Sequence, residues 1–348
     1  MFTVFVGLSG GVDSAVATAL LKSQGHNVTG VFIKIWQQEF IECTWKEDRL
    51  DAMRVAAALQ IPFREVDLSE SYKQQVIEDM LKGYAAGITP NPDVLCNERI
   101  KFGDFANWAF EAGADKIATG HYARILENNG EISLLRGVDP EKDQAYFLHS
   151  VKEPVLVRSL FPIGGMKKSD VRALARRFGL PNAARKDSQG LCFVGDVTLP
   201  EFLKRFISVT PGSVMDMNGN KIGTHDGAAL YTIGQRHGFT THVQKGNGKT
   251  HYVVSIDVPT NTLRVSENRH DAARQVATIG NFNWIGEAPT LPFEADIETH
   301  YHEAPFRAHI EQNKDAIRVH FSEPRVCSRG QSLVVYQGEK CLGGGVII

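Results

Sequence analysis

Eight residues, Gly7-Leu8-Ser9-Gly10-Gly11-Val12-Asp13-Ser14, limit what this chain can fold into more than any other stretch. They follow a short apolar run, Phe2 to Val6, and lead into Ala15 to Leu21, where Val16, Ala19 and Leu20 recur at helical spacing. That order reads as strand, glycine turn, helix. Glycines let a backbone come close to a ligand, and the open N–H groups of a first helical turn, with the helix dipole behind them, favour an anion. Phosphate suits such a site. The lysine of the common G-x-x-x-x-G-K-[ST] loop is missing, however, and Asp13 brings a carboxylate where a simple anion site would exclude one. An acid beside a phosphate implies a bridging Mg²⁺. A plain strand-to-helix turn without a ligand is the competing reading, and the two glycines, two serines and one acid of Ser9 to Ser14 together oppose it.

At 348 residues the chain exceeds one typical domain, so two or three are expected, each with its own core. Nothing approaches a membrane-spanning run, and Phe2 to Val6 is too short and lacks the basic start of a signal peptide, which reads as cytoplasmic. A net charge of −2 opposes a protein that simply coats nucleic acid but allows a local basic face. The five cysteines, Cys43, Cys96, Cys192, Cys327 and Cys341, are an odd number without a C-x-x-C pair, so neither a disulfide framework nor a zinc site is indicated, and no metal-ligand cluster is assigned.

Val28 to Ile35 and Phe63 to Val66 read as further strands, with helices over Lys46 to Leu59 and roughly Glu70 to Ala86 between and after them. Alternating strands and helices specify a doubly wound parallel sheet whose ligand site lies at the strands' carboxyl edge. Thr89-Pro90-Asn91-Pro92-Asp93-Val94-Leu95-Cys96-Asn97 then reads as a loop stiffened by two prolines. Asn97 is expected to cap a helix to about Ala112, placing Cys96 at its N-terminus, where the dipole favours thiolate. Asp93 is close enough to accept a proton or hold a reacting group. A buried structural cysteine is the alternative.

Lys116 to Tyr122 reads as another strand ending in a glycine, Gly120. Lys142-Asp143-Gln144 precedes an apolar turn, and on its residues alone is a capped surface turn. Lys167 to Lys186 is the most basic stretch, with Asp170 its single acid. Ser169 is expected to cap a helix with Val171, Leu174, Ala175 and Phe178 inward and Arg172, Arg176 and Arg177 outward, which suits a solvated face or RNA phosphates equally. Cys192 follows in Asp187-Ser188-Gln189-Gly190-Leu191-Cys192-Phe193. Beyond Pro200, glycine-rich turns punctuate short alternating runs such as Tyr252 to Ile256. The expected organisation is a catalytic domain over 1–197, a small β domain over 198–268 and a β-barrel over 269–348, with strands at Ala316 to Phe321 and Gln331 to Tyr336.

The S-G-G-x-D-S pattern resembles the pyrophosphate loop of the N-type ATP pyrophosphatases, the PP-loop or adenine nucleotide alpha hydrolase-like fold, whose members split ATP between its α and β phosphates. With Thr89 to Asn97, Ala118-Thr119-Gly120-His121-Tyr122, Lys142-Asp143-Gln144, Asp187 to Phe193, Gly234-Gln235-Arg236 and Cys341-Leu342-Gly343-Gly344-Gly345, the chain resembles along nearly its whole length the bacterial tRNA 2-thiouridylases. The resemblance implies that Gly7, Leu8, Ser9, Gly10, Gly11, Val12, Asp13, Ser14, Ile33 and Gly120 contact ATP. Asn91, Pro92 and Asp93 would meet the target base, and Lys142, Asp143 and Gln144 the tRNA. Cys96 would be the nucleophile and Cys192 the persulfide carrier, pairing in a transient disulfide. The family's RNA-contacting Arg-Tyr falls on His300-Tyr301, and a neutral His cannot make an arginine fork. Position 33 is Ile where many relatives carry Met, a swap that an apolar contact on adenine tolerates.

The implied reaction is ATP-dependent thiolation of the wobble uridine of tRNA with Lys, Glu and Gln anticodons. It proceeds by adenylation of the C2 oxygen and sulfur transfer from a persulfide supplied by a cysteine desulfurase or a relay protein. ATP and Mg²⁺ are the expected cofactors, and the enzyme is expected to be a monomer. Two rivals fit parts of the chain. A PP-loop enzyme for a small metabolite needs neither the cysteine pair nor RNA-facing β domains, and a non-catalytic RNA-binding relative has no use for an intact loop.

Overall fold

The computed structural model describes residues 1–38, 45–128, 130–187, 197–242, 250–314 and 316–348. The first apolar run is strand β1 (Thr3–Gly7), buried on both faces, as parallel strands covered by helices are. It lies between β2 (Asn27–Lys34) and β4 (Lys116–Ala118), with β3 (Phe63–Asp67) and β7 (Ser159–Leu160) outermost; all pairings are parallel, in the order β3-β2-β1-β4-β7. One face packs Phe5 and Ile117 against Phe105; the other packs Phe32 against Val16, Val55 and Val171. The doubly wound sheet therefore stands as the sequence implied. Helix α1 (Val12–Ser23) leaves the glycine loop, and α2 (Trp45–Ala58) covers the sheet with Ala52, Val55 and Ala56.

Two helices depart from expectation. The helix over 69–85 carries a π-helical stretch at Lys73–Ile77, and the cysteine helix, over 92–111, carries one at Cys96–Asp104. The cysteine helix begins at Pro92, not after Asn97. Proline is favoured at a first helical position, where its missing N–H costs nothing. Asn91 is the cap, its Oδ1 accepting from the N–H of Asp93 (3.1 Å) and of Val94 (3.3 Å). Asn97 lies inside the helix, 3% exposed, donating to the Phe147 carbonyl at 3.2 Å and accepting from Lys101 Nζ at 3.0 Å. Cys96 is thus beyond the first turn, where the dipole no longer explains thiolate character.

The basic helix likewise starts at Lys168, with Lys167 and not Ser169 at its N-cap. Arg172 is not turned to solvent: it bonds the carbonyl of Arg185 at 2.8 Å and pairs with Asp187. Arg185 pairs with Asp48 and, at 2.9 Å, with Asp51. Much of the basic stretch is therefore internal wiring, which leaves Arg176 and Arg177 as its outward arginines.

The small β unit is a five-stranded sheet, β10-β9-β8-β12-β11, from β8 (Gly212–Met215), β9 (Lys221–His225), β10 (Phe239–Thr241), β11 (Tyr252–Asp257) and β12 (Thr262–Ser266). Its core residues Phe202, Val214 and Val253 share one cluster with Tyr72, Met80, Cys96 and Ile100. The last unit comprises β13 (Ala273–Trp284), β14 (Phe293–Glu298), β15 (Phe306–Asn313), β16 (Ala316–Val326), β17 (Ser332–Gln337) and β18 (Lys340–Ile347). They run in the order β13-β16-β15-β14-β17-β18, and a β13–β18 pairing closes the barrel.

A hairpin of the first unit, β5 (Ala123–Asn128) and β6 (Glu131–Arg136), joins this sheet through Leu135 opposite Lys340 and Leu134 opposite Cys341. Beside that seam Arg136 bridges Asp143 (3.0 Å) and Glu298 (2.7 Å), both buried. Asn283 of β13 donates to the carbonyls of His149 (2.9 Å) and Val151 (3.1 Å). The His149 ring, 1% exposed, packs so closely on β18 that a Cβ on Gly344 would meet it at 2.9 Å. Cys327 and Cys341 are buried, and burial pushes the Cys341 thiol up to about 12. Cys43 lies outside the described residues. No described helix is long and apolar enough to cross a membrane.

Candidate active site at the carboxyl edge of the parallel sheet

The glycine loop is held from three sides. Leu8 N–H continues the strand pairing onto Val31 O at 2.8 Å, and Asn182 Nδ2 donates to Gly10 O at 2.7 Å. Ser14 Oγ accepts from Ser9 N–H and donates to Gly11 O, both at 3.2 Å, folding the loop on itself. Gly10 has φ +80, and a Cβ there would strike Asp48 O at 2.4 Å. Leu8 and Val12 turn their side chains into the core, so they face a ligand with backbone only. Gly11 caps α1 without a side chain, which leaves the first-turn N–H groups directed outward.

Two other expected nucleotide residues meet this loop. A Cβ built on Gly7 lies 3.5 Å from Ile33 Cδ1, and one built on Gly120 would lie 2.6 Å from Ser14 N. Ile33 also packs against the clusters that hold Phe105 and Cys96 of the cysteine helix, so Gly7 and that helix meet across Ile33 at one edge of the sheet.

Asp13 sits in a network absent from the sequence reading. Its Oδ1 accepts from Tyr122 O–H at 2.8 Å, and its two oxygens take Lys168 Nζ at 2.8 and 2.9 Å. Lys168 also reaches Asp187 Oδ1 at 2.9 Å, and Lys142 reaches Asp187 Oδ2 at 3.2 Å. Burial pushes the Asp187 carboxyl up, but Lys168, Lys142 and Arg172 outweigh it and hold it at about 2. No group of three or more His, Cys, Asp or Glu among the described residues could hold a metal ion unaided. A single carboxylate at the mouth of a phosphate loop fits Mg²⁺, which binds through one or two carboxylates and the substrate's phosphates.

On the cysteine helix, Cys96 is 8% exposed. Asp93, one turn earlier, has its carboxyl pushed up by burial, with Lys101 pulling the other way. Burial, then Lys101, holds the neighbouring His121 well below its usual range, and its Nδ1 bonds Thr119 Oγ1 at 2.7 Å. Tyr301 comes from the barrel: its ring lies 4.4 Å from that of Phe147, whose carbonyl Asn97 engages. Burial and the carboxylates of Asp143, Glu298 and Asp93 push its phenol up to about 12. His300 is exposed, its Nδ1 3.0 Å from Thr299 Oγ1.

Lys142, Asp143 and Gln144 divide. Lys142 is partly exposed, whereas Asp143, 6% exposed, accepts from Gly137 N–H (2.8 Å), Ala145 N–H (3.0 Å) and Arg136. Gln144 brackets Tyr122, taking its N–H at 3.0 Å and giving its own N–H to Tyr122 O at 2.8 Å. Cys192 lies outside the described residues. Sequence reasoning missed Tyr122, Lys168, Asp187 and Lys101. The missing lysine of the phosphate loop was the one available hint that a cation must come from elsewhere.

The family model described as the tRNA methyl transferase HUP domain matches residues 2–196, its PRC-barrel domain 200–267, and an aminomethyltransferase beta-barrel domain 274–347. The tRNA-specific 2-thiouridylase MnmA of Nitrosomonas eutropha is 42% identical over 353 residues, covering 99% of this chain and 98% of its own. That of Chromobacterium violaceum is 42% identical over 352 residues, covering 99% and 91%. Among solved structures, the U34-tRNA thiolase NcsA from Methanococcus maripaludis matches 52% of this chain and 57% of its own at 20% identity and TM-score 0.36, too slight a likeness to carry an argument.

Proposed function

This chain belongs to the tRNA-specific 2-thiouridylases, enzymes of ATP-dependent tRNA uridine thiolation, and from that premise we propose a mechanism in which the sheet edge adenylates the C2 oxygen of the wobble uridine. The C2 carbonyl is a poor electrophile and its oxygen a poor leaving group. Moving AMP onto that oxygen cures both. The loop from Gly7 to Ser14 holds the phosphates, with Ile33 and Gly120 flanking the nucleotide, and Asp13 is the residue to hold Mg²⁺. When bound, Mg²⁺ supplies charge neutralisation at the departing pyrophosphate, alongside the loop N–H groups.

Asn91, Pro92 and Asp93 receive the base, and Asp93, its pKa raised by burial, is the group suited to carry a proton there. Lys142, Gln144, His300 and Tyr301 contact the tRNA, while Asp143 shapes the turn from beneath. Sulfur arrives as a Cys192 persulfide from a cysteine desulfurase or a relay protein. In one route the terminal sulfur attacks C2 and expels AMP, and the Cys96 thiolate then takes the Cys192 sulfur and frees 2-thiouridine. In the other, Cys96 first releases hydrosulfide, which attacks C2. Both leave a Cys96–Cys192 disulfide that a thiol must reduce. The enzyme acts as a monomer on tRNAs with Lys, Glu and Gln anticodons.

The observation that carries this reading is the junction at Ile33, which Gly7 of the loop meets on one side and the cysteine helix on the other. Its test is pyrophosphate release with Cys192→Ala. We expect release that requires tRNA and proceeds without forming 2-thiouridine. Thiolation by that variant with its normal donor refutes the carrier role, and release that ignores tRNA points to a small-metabolite substrate.

A further inference from the structure

The loop lacks the lysine that common phosphate loops carry, and in space a lysine stands at the loop nonetheless. Lys168 opens a helix packed on α1, Val171 and Val16 sharing one cluster. Its side chain is 14% exposed, and its ammonium is shared between Asp13 (2.8 and 2.9 Å) and Asp187 (2.9 Å). Asp13 is also the carboxylate that a nucleotide-borne Mg²⁺ requires. On one half-buried carboxylate an ammonium and a divalent cation compete, because their repulsion is poorly screened there. Lys168 occupies both oxygens of Asp13, so Mg²⁺ and nucleotide arriving there favour its release.

The freed ammonium is tethered by the first turn of a packed helix and needs an anion within reach. Asp187 alone does not absorb it, since Arg172 and Lys142 already pair with that carboxylate. The phosphates on the loop are the remaining anion. Resting on the functional reading above, we infer that Lys168 is the phosphate-binding lysine of this site. It is held on Asp13 while the loop is empty and transferred to the ATP phosphates when Asp13 takes the metal. Tyr122, whose hydroxyl also donates to Asp13, keeps that carboxylate aimed through the exchange.

The experiment is calorimetric binding of α,β-methylene-ATP with Mg²⁺, and of adenosine, to the full-length wild type, Lys168→Met and Lys168→Arg. A lost charge-assisted hydrogen bond to phosphate weakens the nucleotide by about 10- to 100-fold in Lys168→Met. Adenosine affinity is expected to stay unchanged, and Lys168→Arg to recover part of the loss. Unchanged or tighter nucleotide binding by Lys168→Met overturns the inference, because the lysine then only neutralises Asp13. An equal loss for adenosine overturns it too, by making the lysine a shaper of the pocket. If the wild type itself fails to bind the nucleotide, the functional reading fails instead.

Discussion

Acidification is expected to loosen the seam between the first unit and the barrel through one buried imidazole. His149 lies fully inside that seam, and burial pulls its pKa from 6.5 to about 4. Below pH 6.5 the unfolded chain takes up a proton that the folded protein refuses, so the unfolded state gains protons relative to the native one. Stability therefore falls with pH from about 6.5 to about 4, and this group takes no more below that. At about 1.4 kcal/mol per unit the loss approaches about 3 kcal/mol. The assay compares wild type with His149→Asn, which cannot titrate, by urea unfolding at steps from pH 7 to 4. The variant starts less stable because it leaves a cavity, and the two curves converge or cross as pH falls. Parallel curves over that range refute the buried-neutral imidazole.

Three further outcomes are expected. Gly120→Ala drives a Cβ into the backbone of Ser14 (2.6 Å) and Asp13 (2.8 Å), so the loop must move. About 100-fold in ATP-dependent rate is expected to go with a shift of that order, and undiminished pyrophosphate release argues against contact between Gly120 and the reacting nucleotide. Asn91→Ala removes the cap of the cysteine helix and costs about 1 kcal/mol, which Asn91→Asp restores in a thermal melt; if Asn91 also reads the base, Asp does not restore thiolation. Arg136→Met strands two buried carboxylates and costs roughly 3–5 kcal/mol, part of which returns when Glu298→Gln is added; an unchanged melt contradicts the buried-pair assignment.

The parts legible in the sequence are those encoded locally. The loop, the apolar parallel strands and the alternating barrel strands carry their periodicity in consecutive residues, and the structure follows them. The start of the cysteine helix is not legible locally, because two prolines spaced two apart suggest a broken chain, whereas Pro92 occupies the one helical position that welcomes it and Asn91 supplies the cap. Arg172 reads as an outward charge, for solvent or RNA, because its partner, Asp187, is beyond its own helix. Lys168 and Asp13 are 155 positions apart, and only the packing of two helices brings them together. Tyr301 reaches the cysteine helix from a different unit for the same reason. Long-range pairing of charges leaves no periodic trace in a chain.

The hairpin from Ala123 to Arg136 finds its sheet partner in Lys340 and Cys341, 204 residues after its own end (340 − 136 = 204). A ribosome adding about 5–20 residues per second needs roughly 10–40 s to make that partner. During that interval the β6 edge has no neighbour, and the seam that seats Tyr301 beside the cysteine helix has not formed. The glycine loop takes its anchor at Gly10 from Asn182, so its contacts are complete within the first unit, whereas the seam waits for the barrel. Translation thus fixes the order in which the two sides of the proposed site are completed.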